Sequence, residues 1–326
     1  MEFMPDFTVL YPKTVEKAVS FFTQHPDARY VAGGTDLIVN IRRGIVAPRT
    51  LIDLAGIGEM NTIEDDTKGG YKIGASVTLA ALLKHKAIVK NYAAIEQAAV
   101  EIAAATHRQV ATVGGNLCLD TRCIFYNQSE WWRSANDYCL KYRGETCHVA
   151  PSGDHCFAAF SGDLAPALLV FDADVEITGP AGTRTVPLKD IYADDGAAHL
   201  LLEPGEILVA VVLADAGAMH SGYAKARVRD SIDFPLAGSA IALKKGKNGI
   251  EDIRIALTGV KSCPVLIEGA EGLIGRIIDD KTLDVLASLL PKQIKPMTST
   301  FTPPGYRRKV ATNLSRRLAS RLYDLA

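Results

Sequence analysis

Residues 28–54 read ARYVAGGTDLIVNIRRGIVAPRTLIDL, and the order of residue types in this stretch decides the fold class. A short apolar run, ARYVA, ends in Gly33-Gly34-Thr35-Asp36. A helical stretch, LIVNIRRG, follows and stops at Gly44, and TLIDL is a second short strand. Upstream, Thr14 is placed to cap a helix whose apolar positions Val15, Ala18, Val19 and Phe22 recur at helical spacing, ended by Pro26. Helix, strand, glycine turn, helix, strand is an α/β unit. A Gly-Gly turn between a strand and a helix bares backbone N–H groups to an anion, and the helix N-terminus adds partial positive charge. Thr35 offers a hydroxyl, and Asp36 is suited to holding backbone N–H groups or ligand hydroxyls. Neither GxGxxG nor GK[ST] is present, so the rules for those motifs do not apply. By itself such a turn is weak evidence for a ligand and is more often a tight strand-to-helix connection.

Outward from this unit the pattern changes twice. From Gly58 a hydrophilic hairpin, NTIEDDTKGGYKIGAS, leads to Thr78, which is placed to cap a helix carrying Leu79, Leu82 and Leu83. A longer alanine-bearing helix is expected over residues 88–104, and APALLVFDADVEI reads as a buried strand. From Ile207 the strand-like runs EILVAVVL, SGYAKARV, PLAGSAIAL and IEDIRIALTGV precede helices expected near 265–275, 281–290 and 304–325. In the last helix Val310, Leu314, Leu318 and Leu322 form one stripe, which leaves the arginines to a solvated face. The expected divisions are 1–57, 58–216 with an insertion at 117–162, and 217–326.

The chain has 326 residues, 48% hydrophobic and 22% charged, enough for packed cores rather than disorder. Thirty-six basic against 37 acidic side chains give a formal net charge of −1, so no global field favours nucleic acid or an anionic membrane. The start lacks a signal-peptide pattern and no window suits a membrane span, so the expectation is a soluble cytoplasmic protein. Five of the six cysteines, Cys118, Cys123, Cys139, Cys147 and Cys156, fall within 39 residues, and Cys263 stands alone. In a reducing compartment such a cluster points to a metal or redox centre before disulfides.

A second glycine pair, Thr112-Val113-Gly114-Gly115-Asn116, strengthens the first, because two such turns can clamp one extended dinucleotide. With VAGGTDL from Val31, TVGGNLC from Thr112, GDLAPALLVFDA from Gly162 and GYAKARVRDSIDFPLAG from Gly222, the chain resembles the FAD-binding subunit of the xanthine dehydrogenase and carbon monoxide dehydrogenase family of molybdenum hydroxylases. The resemblance spans essentially the whole chain. It implies an α+β architecture: a two-subdomain FAD-binding domain of the PCMH / CO dehydrogenase flavoprotein type plus a C-terminal α+β domain. By that resemblance Arg29, Tyr30, Val31, Ala32, Gly33, Gly34, Thr35, Asp36 and Leu37 hold the FAD pyrophosphate. Thr112, Gly114, Gly115 and Asn116 close on the cofactor from the next subdomain, with Ile102 and Ala103 beside them, and Asp163 matches the family's acid. Leu208 and Lys225 match residues that reach the flavin, where a cation favours the reduced anionic form; the plain alternative for Lys225 is an exposed strand lysine. No catalytic residue is implied here. The family carries molybdenum cofactor on a large subunit and two [2Fe–2S] clusters on a small one.

Between Asn116 and Asp163 lie 46 residues, far more than the family's ordinary connection. Cys118 belongs to the GGNLC motif, which leaves Cys123, Cys139, Cys147 and Cys156, a set that completes a [4Fe–4S] cluster. Their spacing has neither a zinc knuckle nor a ferredoxin run, so from spacing alone iron–sulfur, zinc and unrelated thiols stay open. Phe125, Tyr126, Trp131, Trp132, Tyr138, Tyr142 and Phe157 are candidates for an apolar jacket, Arg122, Arg133, Lys141 and Arg143 for its charge balance, and His148 and His155 for neighbouring or surface roles. The loop itself (NLCLDTRCIFYNQSEWW, DYCLKYRGETCHV, GDHCFAAF) resembles that of a reductive branch of the family acting on aromatic CoA thioesters. That resemblance implies a [4Fe–4S] cluster fed by a low-potential donor such as ferredoxin, and a heterotrimer paired into a dimer of heterotrimers. The competing readings are a conventional molybdenum hydroxylase flavoprotein with a decorated loop, and a zinc-ordered docking platform.

Overall fold

The computed structural model of the chain describes residues 4–66, 69–298 and 302–326. Twelve described strands form three sheets. The first contains Thr8–Leu10 (β1), Arg29–Val31 (β2) and Thr50–Asp53 (β3), all parallel in the order β1-β3-β2. The helix Leu37–Arg42 is the crossover that a parallel β2–β3 pair requires. β1 pairs Thr8 with Thr50 and was invisible to pattern reading, because three half-exposed residues carry no period. The expected first helix is Val15–Gln24; Thr14 Oγ1 accepts from Lys17 N at 3.2 Å, and Val15, Ala18 and Val19 are buried.

The second sheet contains Ile63–Asp65 (β4), Tyr71–Gly74 (β5), Asp174–Gly179 (β6), Gly182–Pro187 (β7) and Ile207–Leu213 (β8), in the order β4-β5-β8-β6-β7. The hairpin expected from NTIEDDTKGGYKIGAS is β4–β5; its tip, residues 67–68, lies outside the described residues. Thr78 caps the helix Leu79–Leu82 as expected, accepting from Ala81 N at 3.1 Å.

Two expectations in this region need correction. APALLVFDADVEI is not one strand: Leu164–Leu169 is a helix buried on every side, Asp172 turns at φ 49°, and β6 begins at Asp174. An apolar run buried all round has the same sequence appearance in either state. The helix expected over 88–104 is two, Lys86–Asn91 and Ala93–Glu101, broken at Tyr92, whose buried hydroxyl donates to Ala214 O at 2.6 Å.

The third sheet contains His220–Ala226 (β9), Ala237–Gly246 (β10), Gly249–Thr258 (β11) and Val265–Leu266 (β12), in the order β12-β11-β10-β9. The helix Pro304–Leu325 packs on it, and the helix Asp280–Gln293 packs on Pro304–Leu325. The helix expected near 265–275 is instead β12 and the single turn Ala270–Leu273, separated by Gly269 at φ 82°. The final helix buries Leu318 and Leu322 as expected, but Arg307 is not on a solvated face. It is 1% exposed and donates to the carbonyls of Leu236, Met297 and Gly259, so it anchors the turns beside β10 and β11.

The insertion is packed with little regular structure. Its ends meet in a two-way bridge, Arg122 N to Ala159 O at 2.7 Å and Ala159 N to Arg122 O at 2.8 Å. Its one described α-helix is Glu130–Ala135, capped by Ser129. Cys123, Tyr126, Cys139, Cys156 and Ala158 form a small core with Ile45.

Candidate functional site: a nucleotide cavity beside a pocket of four thiols

A cavity of about 490 Å³ opens at the carboxyl ends of the parallel strands β2 and β3, within the range of small-molecule sites. The whole stretch Tyr30–Leu37 lines it, as do Ile102, Ala103, Thr112, Gly114, Gly115, Asn116, Asp163 and Leu208. Residues as distant in sequence as Tyr30 and Leu208 are thus brought to one cavity.

The two glycine turns interlock. A Cβ on Gly33 would stand 1.9 Å from Val110 O, just before the second turn, and Gly34 has φ +69°, where a side chain is strained. The second pair is the start of a helix, Val113–Leu117, rather than a free turn. Thr112 Oγ1 caps it by accepting from Gly115 N at 3.0 Å, and Gly114 fits against Ala75, whose Cβ is 2.7 Å from where a Gly114 Cβ would be. Thr112→Ala is expected to cost about 1 kcal/mol in thermal or denaturant unfolding, and Thr112→Ser to restore most of it. Asn116 Oδ1 accepts from Leu164 N at 3.0 Å and so starts the buried helix that follows Asp163. Ala103 and Ile232, both on the cavity wall, sit at φ 47° and 50°, conformations that non-glycine residues hold only when their surroundings impose them.

Two expected residues stand apart from the cavity. Arg29, at the amino end of β2, is exposed and turns to Ala28 O at 3.3 Å. Lys225 is not an exposed strand lysine: its side chain is 1% exposed, with Nζ 3.1 Å from Asp163 Oδ2 and 3.1 Å from Glu101 O. It stands behind Asp163 as that carboxylate's counter-ion. Tyr223 donates to the other oxygen, Oδ1, at 2.5 Å. Burial raises the Asp163 carboxyl above its ordinary range, opposed by the Lys225 charge and the Tyr223 hydrogen bond.

Sequence reading did not find His107, Arg122 and Phe234, which also line the cavity. His107 Nδ1 and Arg122 Nε are buried without a hydrogen-bond partner. Their only sequence signal is position: His107 is five residues before Thr112, and Arg122 is next to Cys123. The interlocked turns, the helix start and the unpartnered polar atoms fit a dinucleotide. Cys118 lines the cavity as well, and burial pushes its thiol up to about 12, so it is neutral there.

The second site is the insertion's own. Cys123, Cys139, Cys147 and Cys156, each 9% exposed or less, line one small cavity with Tyr126 and Lys141. Ala158 N donates to Cys156 Sγ at 3.4 Å, and the N–H groups of Phe125 and Tyr126 favour the Cys123 thiolate. Amide donors on sulfur are how proteins support thiolate-bound clusters. Burial still raises both thiols, Cys156 to about 12. Among the described residues no three His, Cys, Asp or Glu side chains are grouped to hold a single metal ion.

The aromatic jacket forms only in part. Phe125 packs on Trp132 and His148, and Tyr138 on Tyr142, but Trp131 is 78% exposed. His148 Nε2 meets Tyr138 O, and His155 meets Asp154. The cations divide: Lys141, 5% exposed, pairs with Asp120 at 2.6 Å beside the thiols, whereas Arg122 leaves them to pair with Asp36.

Two family models match in succession: the FAD binding domain in molybdopterin dehydrogenase over residues 5–214, and the CO dehydrogenase flavoprotein C-terminal domain over residues 221–322. The chain belongs to this family of FAD-binding molybdenum hydroxylase subunits. Among its relatives, the aldehyde oxidoreductase FAD-binding subunit PaoB of Escherichia coli K12 is 34% identical, over 84% of this chain and 87% of its own length. The carbon monoxide dehydrogenase medium chain of Afipia carboxidovorans is 29% identical over 95% and 94%. A solved Cu,Mo-CO dehydrogenase chain superposes with a TM-score of 0.82 at 26% identity, covering 99% of this chain and all of that one. Among the described residues no helix is long and apolar enough to cross a membrane.

Proposed function

We propose that this chain is the flavin electron-transfer subunit of a molybdenum hydroxylase complex, working in the cytoplasm between a large subunit with the molybdenum cofactor and a small [2Fe–2S] subunit. The observation that carries this is the cavity, which both glycine turns, Asn116, Asp163 and Leu208 line together. FAD, when bound, supplies one- and two-electron transfer. The chain's own contribution is to hold the pyrophosphate on the backbone of Gly33 and Gly34 and on the capped helix start at Thr112. The Asp163–Lys225 pair places a nearly neutral polar group at the wall in place of a free cation. The relatives, named as aldehyde oxidoreductase and CO dehydrogenase subunits, favour the conventional direction of such complexes, substrate oxidation with electrons leaving through the flavin.

One observation favours a second reading, the convergence of the four insertion cysteines on a single cavity with amide donors on sulfur. On this reading they bind a [4Fe–4S] cluster, ferredoxin is the donor, and the complex is a 4-hydroxybenzoyl-CoA reductase. It would remove the phenolic hydroxyl of an aromatic CoA thioester in anaerobic aromatic degradation, as a dimer of heterotrimers. Iron, zinc, acid-labile sulfide and flavin measured on anaerobically purified protein separate the readings. The second expects about four iron and four sulfide per chain, lost in Cys139→Ser while flavin stays. One zinc without sulfide would instead favour a metal-ordered docking loop, and flavin with no metal the conventional subunit. A chain without flavin would sink both main readings.

A further inference from the structure

Arg122 immediately precedes Cys123, yet the two side chains serve different cavities. The bridge to Ala159 holds this segment extended, and consecutive residues of an extended segment point to opposite faces. Cys123 therefore faces the thiol pocket and Arg122 faces the nucleotide cavity. There the guanidinium lies over the Phe234 ring at 4.7 Å, and one terminal nitrogen pairs with Asp36 Oδ1 in the first glycine turn. Asp36 Oδ2 accepts from Asp120 N at 3.3 Å, so the carboxylate grips the insertion twice.

These contacts leave Arg122 Nε buried and without a hydrogen-bond partner. The side chain lines an anion-binding cavity while the protein leaves one of its N–H groups unmatched, so the guanidinium has donor capacity left for an acceptor oxygen. The other arginines lining the cavity do not fill this role: Arg43 is exposed, and Arg229 is largely exposed and occupied by Asp233 and Ile232 O. Lys225 is occupied by Asp163.

We propose that Arg122 is a further FAD-binding residue, its guanidinium donating to an oxygen of the bound dinucleotide, so that the segment carrying the cysteines builds part of the flavin site. The inference rests on the FAD reading of the cavity and not on which metal, if any, the thiols take. It also couples the two sites: whatever orders residues 120–123 from the thiol side tightens the flavin, and the reverse.

The test is FAD titration of the full chain after flavin removal, followed by fluorescence. Arg122→Gln is expected to weaken FAD binding about 10- to 100-fold, the range of one lost charge-assisted hydrogen bond. Arg122→Lys, which keeps the cation beside Asp36 but lacks the guanidinium's further donors, is expected to recover only part of the affinity with a thermal midpoint near that of the parent. Parent-like affinity in Arg122→Gln overturns the proposal. Should that variant fail to fold, parent-like affinity in Arg122→Lys overturns it. A parent chain that binds no FAD overturns the reading beneath it instead.

Discussion

Lys225→Met is expected to destabilise the protein by about 3–5 kcal/mol, because it strands the Asp163 carboxylate without its counter-ion in a fully buried site. Lys225 Nζ also donates to Glu101 O, so the lost side chain frees a carbonyl at the end of the helix Ala93–Glu101. One lysine on β9 thus ties the C-terminal sheet to both the buried helix after Asp163 and the helix before Ala103. Urea unfolding of the single variants and of the double variant Lys225→Met/Asp163→Leu measures this, and the double change is expected to cost less than Lys225→Met alone. A double-variant cost equal to the sum of the two single costs would show that the pair is not coupled.

The pH dependence of Lys225→Met has a definite sign. Burial already raises Asp163 and Lys225 opposes that rise, so removing Lys225 raises the carboxyl further. A group whose folded pKa exceeds its unfolded value contributes stability that is present below the unfolded value and lost as pH rises through the folded one. The variant is therefore expected to lose stability relative to the parent as pH climbs out of the ordinary carboxylate range. A pH-independent difference would sink this account.

Gly33→Ala is the second large effect. The added methyl would stand 1.9 Å from Val110 O and 2.5 Å from Val110 C, both backbone atoms that no rotamer change can move. The turn and the segment leading to Thr112 must separate, which is expected to cost about 1–3 kcal/mol or more and to empty the purified protein of flavin. Gly34→Ala is expected to be milder: its strain comes from φ +69°, and the nearest obstacle, Ile38 Cγ1 at 2.9 Å, is a movable side-chain atom. Flavin content and thermal midpoint check both variants, and parent-like flavin in Gly33→Ala would show that the turns do not clamp the cofactor.

Much of the fold was legible because it is local. Thr14 and Thr78 were read as caps from the residue type and the apolar positions after them, and both accept the expected N–H. The strand, glycine turn and helix of residues 29–42 follow from neighbours within a few positions. Where the local signal was ambiguous, packing decided: Leu164–Leu169 is helical because both states bury an apolar run equally well, and only surroundings on all sides choose between them. The cysteine set was also legible, since five thiols in 39 residues stand out in any composition count.

The amino-acid sequence by itself determined the class of the chain, the two glycine turns, and the four cysteines clustered between Asn116 and Asp163. It could not assign the charges, because a charge's partner is chosen by distance in space. Lys225 and Asp163 are 62 positions apart, and Arg122 and Asp36 are 86. Tertiary structure moved Lys225 from the cavity to the back of Asp163 and moved Arg122 from the thiols to the nucleotide wall. The physical reason is the same in both cases: a buried charge is tolerated only with an opposite charge or hydrogen-bond partner in reach, and the fold alone supplies that neighbour.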